Sequence, residues 1–206
     1  MKLQDSKNLF VLGGFLGAVA LIAALVLAWV SQLTAGPIKS AGERNRLQAF
    51  HRLLLPEFNE IGDSVKARGF IYYPVFNQDR NVGWVGQGST RKGYGGLIEI
   101  LVGFNVDGKI SAVQVLRHNE TPGLGANVCE RKFQRTIFNL NEDEPAVPDN
   151  RILDQFNSVD SKQAGGWKIS KDGGKFDFLT GATVTSRAIT DLVDQMAEIF
   201  ASEVNK

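Results

Sequence analysis

The sequence predicts an α+β fold, with a single N-terminal transmembrane helix followed by one α+β domain. Three observations predict it. A long apolar run near the N-terminus carries no charge. Four segments rich in β-branched and aromatic residues follow, two of them around an Asp-Gly turn. The C-terminal part holds an amphipathic stretch with apolar residues at helical spacing.

The elements are justified in chain order. No charge occurs between Lys7 and Lys39, and within that gap Leu9 to Val30 is almost wholly apolar. As a helix this run extends roughly 33 Å, enough to cross a hydrocarbon core of about 30 Å. Trp29 stands at its end, where an interfacial ring belongs. The run exceeds the roughly 7–15 apolar residues of a cleaved signal peptide, so a retained anchor is expected. Gly13 and Gly17 form a small-xxx-small pair, either a packing spot for another helix or a coincidence of a Gly-rich span. The flanking charges do not orient it: Lys2 and Lys7 oppose Asp5 on one side, and Lys39, Arg44 and Arg46 oppose Glu43 on the other. Residues 1–36 therefore read as tail and anchor, and residues 37–206 as the domain.

Beyond Pro37 a helical stretch reaches about Leu55, with Leu47, Phe50 and Leu54 on one face and Pro56 as its stop. Strands are expected at Phe70–Phe76, Val82–Gly86, Leu97–Phe104 and Ile110–Arg117. The last two flank a hairpin at Val106-Asp107-Gly108-Lys109. Cys129 to Leu140 reads as helix and Asn141 to Asn150 as loop. Trp167–Ser170 and Phe176–Leu179 read as short strands around Lys171-Asp172-Gly173-Gly174. A last helix runs from Val184 to about Ser202, with Ile189, Leu192, Val193, Met196 and Phe200 along its apolar face.

Composition removes several function classes. Lys and Arg number 23 against 22 Asp and Glu, so the net charge of +1 gives no pull toward nucleic acid. The one cysteine, Cys129, can form neither an internal disulfide nor a Cys-based metal site, and reads as a small buried hydrophobe. His51 and His118 have no close His or Cys partner, so no metal site is expected. There is no G-x-G-x-x-G after a strand and no G-x-x-x-x-G-K-[ST].

Two segments carry chemistry. In Asp177-Phe178-Leu179-Thr180-Gly181-Ala182-Thr183-Val184-Thr185-Ser186, four hydroxyls crowd the start of the last helix. Free N–H groups and the positive end of a helix dipole suit a phosphate there, and Gly181 and Ala182 leave the approach open. Plain helix capping by Thr or Ser explains the same residues. The second segment is Arg117-His118-Asn119-Glu120-Thr121-Pro122-Gly123-Leu124-Gly125, where Pro-Gly imposes a tight exposed turn that can pass close to a flat ligand or be simply structural. Gly93-Tyr94-Gly95-Gly96 is either a lip beside a ring system or a loop.

Thr180-Gly181-Ala182-Thr183, with Asp177 three residues before it, resembles the flavinylation motif of the FMN-binding domain family. Glu120-Thr121-Pro122-Gly123-Leu124-Gly125 resembles that family's other signature, and both stand in the family order behind one anchor. The resemblance covers essentially the whole chain. It implies FMN joined through its phosphate to Thr183, by a flavin transferase that uses FAD and reads Asp177 and Thr180. Gly181 and Ala182 would give that phosphate room, and the hydroxyls of Thr185 and Ser186, in the first turn, can bond phosphate oxygens or the backbone. The resemblance, together with the Pro-Gly geometry, implies that Glu120, Thr121, Pro122, Gly123 and Leu124 with Tyr94 and Gly95 border the ring. It implies an electron carrier without independent turnover, partnered by other membrane subunits of an ion-translocating complex. Such complexes are of the Rnf kind, linking ferredoxin and NAD, or of the sodium-translocating NADH:quinone oxidoreductase kind. The modest length is nearer the first. The domain is expected on the periplasmic side of the inner membrane. Two rival readings remain, a cofactor-free anchored interaction protein and a hydrolase. The hydrolase would need a base such as His118 beside Thr183 or Ser186.

Overall fold

The computed structural model describes residues 3–53, 58–132 and 148–205. The chain divides into two compact units, Met1–Asn45 and Arg46–Lys206.

Helix α1 runs unbroken from Leu3 to Leu53. The expected anchor and the expected helix after Pro37 are one element. Pro37 lies inside it and removes one backbone donor without ending it. Leu54 and Pro56, assigned to that helix and its stop, fall outside the described residues. Val11–Pro37 is the one described segment long and apolar enough to cross a membrane, with a mean hydropathy of 2.6 and none of it buried within the chain. An apolar surface on all sides, including Phe15 and Trp29, is what a helix in hydrocarbon presents.

The second unit is built on an antiparallel sheet of six strands. They are β1 (Glu60–Ile61), β2 (Val65–Ala67), β3 (Phe70–Asn77), β4 (Arg80–Gly93), β5 (Gly96–Asn105) and β6 (Ile110–His118), ordered β1-β3-β4-β5-β6 with β2 also paired to β3. The four expected strands are present. The β5–β6 hairpin turns where Asp-Gly predicts, Gly108 having a positive φ of 84° and donating to the Asn105 carbonyl.

Alternation along β5 sorts the core. Ile98, Ile100, Val102 and Phe104 face one side, while Leu101 faces the other with Val75, Val85 and Ala49 of α1. The first side is covered by helix α4 (Thr183–Ile199), which continues into a π-helical turn, Phe200–Val204. Phe200 stacks on Phe104 with centroids 4.1 Å apart, and the Tyr72 hydroxyl donates to the Met196 carbonyl at 2.8 Å.

Strand β4 is far longer than Val82–Gly86, and its glycines serve packing. A Cβ on Gly86 would lie 2.9 Å from the Met196 side chain and 3.0 Å from the Tyr72 ring, and one on Gly88 2.6 Å from Met196 and 2.9 Å from the Phe70 ring, so both bare positions let α4 sit close against the sheet.

Two expectations are corrected. Helix α2 is Gly125–Cys129 and stops where a helix was expected to start, with Glu130 extended at φ −98°, ψ 138°. Residues 133–147, which hold the rest of that helix and most of the expected loop, lie outside the described residues. A short helix α3, Arg151–Asp154, follows. Trp167–Ser170 and Phe176–Leu179 are not strands, since only an isolated parallel bridge joins Ile169 to Phe176. Their aromatic residues have another use. Phe176 and Trp167 stack about Phe156, with centroids 4.8 and 6.3 Å from it. Ser170–Asp172 between them is a single 3-10 turn.

Candidate functional site

The N-terminus of α4 is set by a turn that needs a glycine. Ala182 donates its N–H to the Leu179 carbonyl at 2.9 Å, closing a turn over Thr180 and Gly181. Gly181 takes φ +87° at the third position, a conformation a side chain resists. The turn leaves Ala182 at φ −128°, ψ 34°, and no side chain caps the helix. The first helical bond runs from Ser186 N–H to the Ala182 carbonyl. By helix geometry the N–H groups of Thr183, Val184 and Thr185 then point outward without an intrahelical acceptor.

None of the four hydroxyls is a cap. The Ser186 hydroxyl is buried, accepts from Leu179 N–H at 3.2 Å and donates to the Ala182 carbonyl at 3.0 Å, which fastens the turn from within. The Thr185 hydroxyl is buried and donates to Glu120 Oε2 at 2.6 Å. Thr180 is exposed on the turn, outside the pocket. Thr183 is half-buried on the pocket wall, and its hydroxyl has no partner among the described residues.

Glu120 gathers the site. It is only 5% exposed, and its carboxylate is consumed internally. Oε1 accepts the Gly95 N–H at 3.0 Å and Oε2 the Thr185 hydroxyl. One side chain thus ties the β4–β5 turn, the loop after β6 and the first turn of α4 together. Gly125 packs against the same carboxylate and the Thr185 hydroxyl, where a Cβ would collide. The loop itself closes by Leu124 N–H to the Thr121 carbonyl, with Gly123 at φ +78°.

These segments enclose a pocket of about 540 Å³. Its walls include Thr183, Gly181, Ala182 and Thr185 from one motif, Glu120, Thr121 and Leu124 from the other, and Tyr94. Tyr94, Leu124 and Val184 are exposed apolar side chains at its rim. Of the residues expected at a ligand, Thr180, Ser186, Pro122, Gly123 and Gly95 do not line it. Gly95 contributes through its bond to Glu120 and Gly123 through its turn. Asp177 is also outside, with its backbone clamped by Gln155 and its carboxylate exposed, 3.7 Å from Arg151.

Sequence reasoning missed Lys171, the cation on the pocket wall, along with Val184, while Gly125, the last residue of the second motif, does line it. Lys171 sits on the Ser170–Asp172 turn, in no local pattern that marks it. That turn is strapped to α4 by Arg187, whose Nε and Nη2 reach the Asp172 carboxylate at 2.6 and 2.8 Å. Arg187 accordingly holds the Asp172 carboxyl below its usual range. Sequence reasoning also missed Asn150, buried between α2 and α3. Asn150 donates to the carbonyls of Val128 and Glu130 and accepts from the N–H groups of Ile152 and Leu153.

Cys129 is buried, and burial pushes its thiol up to about 12, with Glu120 and Glu130 adding to the shift. His118 serves no hydroxyl. Its Nδ1 accepts the Glu120 N–H at 3.2 Å, and its Nε2 lies 3.3 Å from Glu130. The nucleophile–base pair a hydrolase requires is not formed among the described residues.

The pocket suits a phosphorylated flat ring. It has the volume of a small-molecule site, an uncapped helix start with a lysine at one end and apolar side chains at its rim. Comparison with known proteins agrees in extent. The FMN-binding domain family matches residues 93–198, a range that holds every residue lining the pocket. The G subunit of the ion-translocating oxidoreductase complex of Shewanella piezotolerans is 30% identical over 217 residues, covering 98% of this chain and 92% of that protein. Its counterpart in Cereibacter sphaeroides is 29% identical over 197 residues, covering 91% and 82%. That of Shewanella baltica is 28% identical over 220 residues, covering 97% of each.

Proposed function

Because the chain belongs to the FMN-binding domain family, and with it to the G subunits of ion-translocating oxidoreductase complexes, we propose that it is a membrane-anchored electron-transfer subunit carrying FMN on the hydroxyl of Thr183. One observation carries the attachment point. Of the four hydroxyls at the start of α4, that of Thr183 alone lines the pocket without an internal partner.

In the attachment step Thr183 Oγ1 bonds to the flavin-side phosphorus of FAD. The pyrophosphate P–O bond breaks, AMP leaves, and the hydroxyl proton is released. Gly181 and Ala182 add no bulk beyond a methyl group in front of that oxygen. The phosphodiester so formed has one negative charge, favoured by the N–H groups and dipole of α4. When bound, FMN supplies one- and two-electron redox chemistry. The chain's own part is to hold it. Tyr94, Leu124 and Val184 offer apolar surface to a flat ring, and the Glu120 bonds keep the three segments in register.

Asp177 and Thr180 fit a recognition role, because both are exposed and neither is needed by the pocket. A flavin transferase taking FAD as donor would read them. Likeness to the family, and not the charges flanking the anchor of residues 1–36, supports putting the domain, residues 37–206, on the periplasmic side. Its neighbours are the other membrane subunits of a complex linking ferredoxin and NAD to ion movement. Protease added outside spheroplasts should digest the domain, and a fully protected domain would reverse the orientation.

The deciding experiment is an intact mass of the chain co-expressed with its transferase. The expected gain is one FMN minus one water, mapped to Thr183 and missing from Thr183→Val. Covalent flavin on Thr183→Val would refute the site. A colourless, unmodified wild type would leave an interaction protein as the better reading.

A further inference from the structure

We infer that Lys171 is the counter-cation of the phosphodiester at Thr183, positioned there by the Asp172–Arg187 ion pair. This rests on the attachment of FMN at Thr183. Lys171 is the one cationic residue on the pocket wall, which it shares with Thr183, Val184 and Thr185. The one anionic residue there, Glu120, has both carboxylate oxygens hydrogen-bonded by Gly95 and Thr185, and Asp172, whose charge Lys171 also feels, is gripped by Arg187, so neither carboxylate forms an ion pair with the lysine. Lys171 has no carboxylate within ion-pair distance among the described residues and rests 5.9 Å over the Phe178 ring.

Its placement is built. The Ser170–Asp172 turn has no capping side chain of its own. Arg187 lies one helical turn beyond Thr183 in α4 and grips Asp172 with two bonds. The fork fixes the turn to the same stretch of helix that carries the attachment point, which puts the neighbouring lysine at the pocket.

The electrostatics give the inference a sign. A cation at the N-terminus of a helix meets the positive end of the dipole, so in the unloaded chain the dipole offsets part of what Lys171 gains from the neighbouring Asp172 carboxylate. A phosphodiester at Thr183 reverses this, since the lysine then faces an anion in a partly enclosed site. A purely structural lysine would contribute the same with and without the cofactor.

The test uses the full chain in detergent, expressed with and without the flavin transferase, and reads the melting temperature of both forms. Lys171→Gln should leave the unloaded form nearly unchanged and lower the loaded form by about 2–4 °C. Lys171→Arg should restore the loaded value, and added salt should shrink the difference. Asp172→Asn, which frees the turn, should also destabilise the loaded form more than the unloaded one. An equal shift in the two forms, or none in either, overturns the role of Lys171 while leaving the site intact. A wild type without the adduct by mass overturns the attachment reading and this inference together.

Discussion

Helix α3 starts at Asn150, whose side-chain oxygen takes the N–H groups of Ile152 and Leu153, while helix α4 starts at Ala182, which has no side chain able to take any. The difference is not a shortage of capping residues, for Thr180, Thr183, Thr185 and Ser186 surround the second start. Backbone decides it. Asn150 is extended at φ −141°, ψ 102°, which swings its side chain over the first turn. Ala182, delivered by the Gly181 turn, has ψ 34° and lacks that geometry. The nearby hydroxyls are sent elsewhere, Thr185 to Glu120 and Ser186 back to the turn. One helix start is closed to hold the fold, and the other is left open toward the pocket.

The contrast is broken most severely at the closed end. Asn150→Ala removes a buried cap and the donors to the Val128 and Glu130 carbonyls at the end of α2, and should cost about 2–4 kcal/mol in chemical denaturation. A loss under about 1 kcal/mol would mean that the closed start is not what holds α2 to α3.

Next comes the link between the two regions. Glu120→Gln keeps one acceptor and turns an amide donor toward either the Gly95 N–H or the Thr185 hydroxyl. It should cost about 1–2 kcal/mol and speed hydrogen exchange at Gly95. Unchanged exchange there would show that the β4–β5 turn stands without it.

A smaller effect is expected in acid. Arg187 depresses the Asp172 pKa in the folded chain, so the pair's contribution is present above the unfolded carboxyl value and is lost as pH falls through the lower folded one. Wild type should therefore melt above Asp172→Asn at neutral pH, and the gap should close below about pH 4. A gap that persists at about pH 2, below the ordinary carboxyl range, would assign it to something other than this carboxylate.

The smallest effect belongs at the open end. Because Thr183 caps nothing, Thr183→Val should leave the unloaded chain within about 0.5 kcal/mol of wild type. A loss near that of an N-cap deletion, about 1 kcal/mol, would make the start of α4 an ordinary cap.

Much of the fold around these two helix starts was legible in sequence, the contrast between them was not, and the limits have physical causes. The four strands announce themselves through local β-branched and aromatic runs, and the three site segments through their glycines and hydroxyls. The hydroxyls of Thr185 and Ser186, however, look alike in sequence and part company only because α4 packs where Glu120 can reach one of them. Asn150 stands in a stretch of acids and prolines that reads as loop, and its partners at Val128 and Glu130 lie across a long sequence gap. Lys171 is visible only once the Arg187 fork brings its turn to α4. Trp167 and Phe176 mimic strands because a stacked aromatic cluster and a short strand draw on the same residue types.

The pocket's open rim has a consequence for how tightly it must hold its occupant. With FMN bonded to Thr183 as proposed, the ring cannot diffuse farther than its own ribityl chain allows. Its local concentration at the pocket is then on the order of millimolar or higher, whatever the concentration outside. Occupancy no longer depends on a low dissociation constant, so the walls need not close over the ring. Tyr94, Leu124 and Val184 can stay solvent-facing, and the edge between them is left for an incoming redox partner to approach.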